Sequence, residues 1–296
     1  MKISVFILLL FLIVAGCSKQ EHKSEIITTI YPFKAIIQEL TGDKFSVKAI
    51  LPAGADPHTY EMLPSDFQSI QNSKAFFYGA ETLDGWAAKI NAANKIELLS
   101  LVPENKLIDI RIPHFHSNAQ SDNDFENMGV DPHFWTDPNV VRAMIPNLLK
   151  ELLKIDSTNK EVFNSNAEMF ADKLIKLDEK IKSETDSLKF RNVFTSHPFY
   201  SYFFERYNFK VAGSLEIAPG SQPTPKEINN LITLVKRENV KAIFTNQQHS
   251  DKPSKVLAES SGIKEFELDP IGGTEGRISY EEIILYNLQI IKSALK

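Results

Sequence analysis

The chain carries a single cysteine, Cys17, among 296 residues. That excludes an internal disulfide framework and any zinc site built from several thiolates. It lacks a cluster of one charge sign: 33 basic and 38 acidic residues are interspersed for a net charge of −5, so no nucleic-acid partner is expected. It lacks an uninterrupted apolar run of the ~20 residues a membrane-spanning helix requires. H-E-x-x-H and G-x-S-x-G are absent, which removes two common routes to hydrolytic chemistry. No repeat at solenoid periods is present. Histidines number only seven, so their placement carries more information than their abundance. What remains, 43% hydrophobic and 24% charged, is the composition of a globular protein with one large or two modest domains.

The single cysteine has a local explanation. Lys2 precedes an apolar stretch, Ile3 to Val14, interrupted only by Ser4. This is the length of a signal-peptide core and too short to span a bilayer. Val14-Ala15-Gly16-Cys17 follows and resembles the lipobox of bacterial lipoproteins, in which the thiol receives a diacylglycerol. The expectation is a signal peptide over 1–16, lipidation at Cys17 and a polar tether over 17–24. The mature protein would sit outside the cytoplasm, anchored to a membrane in the cell envelope or periplasm. Stable anchoring by acyl chains takes two or more of them.

Beyond the tether, short apolar runs alternate with amphipathic helical patterns. Strands are expected at Ile26–Ile30, Val47–Leu51, Ala75–Tyr78, Ile96–Leu99, Val193–Ser196, Val211–Leu215, Ala242–Thr245 and Glu265–Leu268. Strand–helix alternation predicts α/β domains with parallel sheets. Thr224-Pro225-Lys226-Glu227 and Ser279 with Glu282 read as capping boxes that open helices. Asp137-Pro138 opens another, and Pro146 within it should kink or break it. From about 156 to 188 there is no Gly, no Pro and no strand signal, while Phe163, Ala167, Phe170, Leu174, Leu177 and Ile181 keep one helical face. This predicts a long linker helix (156–188) between an N-terminal lobe (25–155) and a C-terminal lobe (189–296). The Asp-, Asn- and Ser-rich stretch between Pro113 and Gly129 reads as a mobile surface loop.

Four groups stand out on this map. His58 lies in a loop after the second strand. His133, in Asp131-Pro132-His133-Phe134-Trp135, precedes a helix. His197 and Asp269 follow strands in the second half. His58, His197 and Asp269 thus fall at carboxyl ends of parallel strands, the edge where α/β sheets bind ligands. Three imidazoles and one carboxylate suit a borderline-soft divalent cation. Neutral imidazole is the ligand, so binding should weaken as pH falls. Pro57, Pro132, Pro198 and Pro270 adjoin the four groups and would stiffen their loops. Spacing alone does not establish that the four meet, and a loop histidine is as readily an exposed or structurally bonded residue. Trp135 and Tyr60 are candidates to line the site or to pack the core.

GADPHTYE, DPHFWTDP, SHPFYSYFFERY, APGSQPTPKEI and LDPIGG, in that order, resemble the zinc- and manganese-binding solute receptors of ABC transporters, the ZnuA-like, cluster A-I family. The likeness covers nearly the whole mature chain. It implies two Rossmann-like α/β lobes joined by a rigid backbone helix, with the metal in the cleft between them. It implies His58, His133, His197 and Asp269 as metal ligands. Manganese members usually carry Glu at the third position, so His197 points to Zn2+, with Mn2+ (or Fe2+) as the alternative. It implies capture of the ion and delivery to an ABC permease by a monomeric, non-enzymatic receptor. Glu61 and Asp131 are expected to orient ligand histidines. The resemblance departs from many zinc members in its loop, where only His114 and His116 are available to capture metal; His22 and His249 are read as surface residues. A secreted zinc hydrolase, with water in the fourth position, is the reading from a different class, and an adhesin role has been described for lipoproteins of this family.

Overall fold

The apolar runs become the strands of two parallel sheets, because β-branched and aromatic residues buried on both faces need helices packed on either side. The computed structural model describes residues 25–113, 125–216, 222–248 and 252–296. In its first half, β1 (Glu25–Thr28), β2 (Ser46–Ala49), β3 (Ala75–Tyr78) and β4 (Lys95–Glu97) form a four-stranded parallel sheet in the order β2-β1-β3-β4. Helices α1 (Tyr31–Thr41), α2 (Pro64–Asn72) and α3 (Glu81–Ala88) connect them. In the second half, β7 (Asn192–Thr195), β8 (Lys210–Ser214), β9 (Ala242–Asn246) and β10 (Lys264–Leu268) form a second parallel sheet in the order β10-β9-β7-β8. Its connections are α6 (Ser201–Arg206), α7 (Pro225–Arg237) and α8 (Lys252–Ser261), and α9 (Tyr280–Leu295) closes the chain. The chain is therefore an α/β protein, and each expected strand is present within one or two residues of its expected bounds.

Between the sheets in sequence stand α4 (Pro138–Ile155) and α5 (Lys160–Asp186). Helix α5 has 27 residues and at 1.5 Å per residue spans ~40 Å. Its buried face is Phe163, Ala167, Phe170, Leu174, Leu177, Ile181 and Thr185, the stripe read from the sequence. One end meets the first lobe, where Asn166 Nδ2 donates to the Leu40 carbonyl at 3.1 Å and Lys173 pairs with Glu39. It also meets α9, where Phe170 packs edge-on against Tyr280 and Lys292 pairs with Glu184. One continuous hydrophobic core runs from Ile26 through this stripe to Leu295. Truncating Phe170 or Leu177 to alanine costs about 2–5 kcal/mol on general grounds.

The capping signals act as expected. Thr224 and Glu227 satisfy each other's backbone N–H, as do Ser279 and Glu282, and the Asp137 carboxylate accepts from Asn139 N–H at 2.7 Å. Two expectations need correction. Helix α4 is not broken at Pro146 but continues to Ile155, because Pro146 and Arg142, whose carbonyl loses its donor, are both exposed and water can satisfy that carbonyl. Of the stretch between Pro113 and Gly129 expected as a loop, residues 114–124 lie outside the described residues and residues 125–129 belong to a strand. Strands β5 (Asp109–Pro113) and β6 (Phe125–Val130) pair as an antiparallel ribbon that leads directly into the His133 segment.

Candidate metal centre

His58, His133 and His197 converge. Each offers a ring nitrogen, and these nitrogens lie within 4.8 Å of one another. Ring centroids are 5.5 Å apart for His58–His133, 5.2 Å for His58–His197 and 5.1 Å for His133–His197. The three rings are mutually tilted by 62–82°, which aims their edges at a shared point rather than stacking their faces. Pro57, Trp135, Phe199, Asn246, Gln248 and Ile271 line the same pocket.

Two of the histidines are held by buried acids. Asp131, fully buried, takes both the backbone N–H of His133 at 2.8 Å and its Nδ1 at 2.7 Å. Glu216, at the carboxyl end of β8, lies 2.7 Å from Nδ1 of His197. A carboxylate on Nδ1 fixes the proton there and leaves Nε2 as the lone-pair donor. Both rings are almost fully buried, His133 at 3% and His197 at 4% exposure, so their orientation is set before any ion arrives.

His58 is positioned differently. It is half-buried on the loop after β2, and its backbone N–H donates to Asp56 Oδ1 at 3.0 Å. The Pro57 carbonyl accepts from the Trp86 indole N–H at 3.1 Å, and Tyr60 packs 5.3 Å from that indole. The other tryptophan does the same on the opposite wall: Trp135 Nε1 donates to the Pro270 carbonyl at 2.9 Å. Thus both tryptophans of the chain pin a proline next to an expected ligand. Two tyrosines tie the lobes together at the site. Tyr202 donates to the Asp131 carbonyl at 2.9 Å, and Tyr280 to the Trp135 carbonyl at 2.8 Å.

Asp269 is not among the groups within 4.8 Å of one another. Its Oδ1 accepts from the N–H groups of Ile271 and Gly272 at 3.1 and 2.8 Å, and its Oδ2 faces Arg277 at 3.2 Å. The Gly-Gly of LDPIGG makes this loop possible. Gly272 has φ +66°, and a Cβ there would come within 2.8 Å of Ile283 and of the Arg277 carbonyl. Gly273, at φ +86°, lies against the Tyr31 ring. Only glycine takes both conformations without strain.

The remaining expectations divide. Glu61 is exposed and, among the described residues, has no bond to a site histidine, because the chain turns away at Met62–Leu63 into α2. Cys17, His22, His114, His116 and His249 lie outside the described residues. Sequence reading missed Glu216, Asn246 and Gln248. The available signal was position: Asn246 closes β9 and Glu216 follows β8 by two residues, on the same edge as His197. Asn246 Oδ1 and both amide atoms of Gln248 are buried without a hydrogen-bond partner among the described residues.

Residues 26–294 match the family model described as zinc-uptake complex component A, periplasmic. The chain is similar to the high-affinity zinc uptake system protein ZnuA of Bacillus subtilis, 25% identical over 311 aligned positions that cover 96% of this chain and 94% of the relative. It is also similar to the manganese-binding lipoprotein MntA of Halalkalibacterium halodurans, 24% identical, with 99% and 97% covered. Among solved structures, the laminin binding protein Lmb of Streptococcus agalactiae, described as bifunctional with adhesin and metal transporting activity, superposes with a TM-score of 0.77. It is 27% identical and covers 92% of this chain and 100% of its own.

Proposed function

Because the chain belongs to the family of zinc-uptake complex component A, we propose that it is the extracytoplasmic solute-binding component of an ABC importer, capturing Zn2+ and delivering it to a membrane permease. The observation that carries the metal assignment is the convergence of three imidazoles, two of them backed by buried carboxylates. Nitrogen-rich sets suit zinc at ~2.0–2.1 Å per bond, whereas manganese favours oxygen donors. Mn2+ remains the alternative that the manganese-binding relative supports.

In this reading His58, His133 and His197 are ligands and Asp269 supplies the fourth, closing the site to substrate and making it a receptor rather than a hydrolase. Asp131 and Glu216 orient the imidazoles. The lobes are 25–155 and 189–296, joined by the helix within 156–188. Cys17 carries the lipid that ties a monomeric receptor to the membrane. No helix among the described residues is long and apolar enough to cross a membrane. Release to the permease requires the docked state to bind zinc less tightly, since only a difference in affinity between states moves the equilibrium.

The test is a competition titration of the full-length, metal-stripped protein with zinc and manganese, for wild type and His197→Glu. Tight zinc binding near 1:1, with preference shifting toward manganese in His197→Glu, is expected. Manganese preference in the wild type would reverse the metal assignment, and binding of neither ion would remove the site.

A further inference from the structure

We propose that Arg277 competes with the bound ion for Asp269 and thereby sets how tightly the centre holds its zinc. The inference rests on the receptor reading above and adds a residue which that reading does not use.

The observations lie in one short loop. Arg277 Nη1 is 3.2 Å from Asp269 Oδ2, with both side chains largely buried. The guanidinium is locked from two further directions: Nε donates to Thr274 Oγ1 at 2.9 Å, and Cζ sits 4.4 Å over the Tyr286 ring. The loop itself is closed by reciprocal backbone bonds, Gly273 N–H to the Arg277 carbonyl and Arg277 N–H to the Thr274 carbonyl, each 2.9 Å. Arg277 is therefore a fixed cation. Asp269 is anchored on its other oxygen by two amides, so Oδ2 is the oxygen with freedom to leave. Pro270 and Ile271, the residues that follow Asp269, line the histidine pocket, so the loop that carries the carboxylate borders it.

A carboxylate oxygen cannot serve a planar guanidinium and a divalent ion at full strength together. For Oδ2 to ligate, its charge-assisted hydrogen bond to Arg277 must stretch or break. Binding thus gains the metal–oxygen bond and loses the ion pair, which lowers net affinity. When a docking event weakens the site, Arg277 stands ready to reclaim the carboxylate. The imidazoles supply selectivity, and the arginine moderates affinity toward release.

The test is a double-mutant cycle in the full-length protein, read as zinc affinity by chelator competition and as zinc dissociation rate. Arg277→Met is expected to tighten binding by about 10-fold or more, from loss of one charge-assisted competitor, and to slow dissociation. In an Asp269→Asn background, which keeps the amide contacts, Arg277→Met should change neither quantity. Tyr286→Leu, at an exposed surface position, loosens Arg277 without removing it and should tighten binding less, in the same direction; it serves if Arg277→Met fails to fold. Unchanged or weaker binding in Arg277→Met overturns the proposal. Equal tightening in both backgrounds overturns it too, because that is bulk charge removal. Absence of zinc binding in the wild type defeats the receptor reading itself, a result distinct from either.

Discussion

The four proposed ligands are held in two different ways. His133 and His197 are buried, and each carries a buried acid on Nδ1. His58 is half-buried on a loop held by backbone contacts, and Asp269 is engaged by Arg277. The first pair is organised before metal arrives. In the proposed four-ligand site the second pair must adjust to complete the coordination sphere. A receptor that has to bind and then release gains from this division: a rigid pair supplies recognition, and an adjustable pair lets a modest rearrangement change affinity.

The division is most directly challenged by removing ligands. His133→Ala and His197→Ala should each lower zinc affinity by roughly 100-fold or more, a quarter share of the free energy of the proposed four-ligand zinc site. His58→Ala should lower it less, because less pre-organisation is lost. Chelator competition measures all three, and a His58→Ala effect equal to the others would erase the distinction.

The acids test the same contrast one step further out. Asp131→Asn and Glu216→Gln should weaken zinc binding by about 10–100-fold, the usual cost of losing the carboxylate behind a ligand imidazole, with little change in melting temperature. Asp56→Asn, behind the looser His58, should cost less than either. If Asp56→Asn proves the most damaging, the loop rather than the buried wall sets recognition.

Trp135→Phe probes the link between halves. It keeps most of the buried volume and leaves the Pro270 carbonyl without its donor. A loss of about 1–3 kcal/mol of stability is expected, read as a lower melting temperature, with zinc affinity falling alongside. A variant with normal zinc affinity would mean the Asp269 loop needs no support from the His133 wall.

An effect of similar size on stability, remote from the ligands, concerns Asp137, which caps α4 beside the His133 segment. Burial pushes its carboxyl from 3.8 up to about 6. Across that window the folded protein holds a proton the unfolded chain has released, so stability falls as pH rises through it. Asn caps as well as Asp and carries no charge. Asp137→Asn should therefore flatten this part of the stability–pH curve and raise stability at pH 7 by on the order of 1–3 kcal/mol. Thermal melts of both proteins between pH 4 and pH 7, a span taken to bracket the ordinary and shifted carboxyl values, would show parallel curves if Asp137 is ionised at no cost.

Much of the architecture was readable because it is local. The stripe Phe163–Ile181 announces α5, Thr224–Glu227 and Ser279–Glu282 announce their helices, and short apolar runs announce the parallel strands. Asp131 was readable for the same reason, since it stands two residues from the ring it holds. Glu216 was not: it lies just past a neighbouring strand, nineteen residues from His197. The β5–β6 ribbon was hidden because its pairing partner lies across a polar segment that by composition reads as loop. Pro146 misled because the rule against proline in helices depends on whether the orphaned carbonyl can reach water, and that is a matter of exposure.

By itself the sequence determined the class of fold, the order of its elements and the residue types available to bind metal, since these follow from periodicity, capping and side-chain chemistry along a few neighbouring residues. Only the tertiary structure decided that three histidines from separate segments share one point, that Glu216 backs His197, and that Arg277 rather than the triad engages Asp269. Those are distances between residues far apart in the chain, fixed when sheets and the spanning helix pack around one core, and no local pattern encodes them.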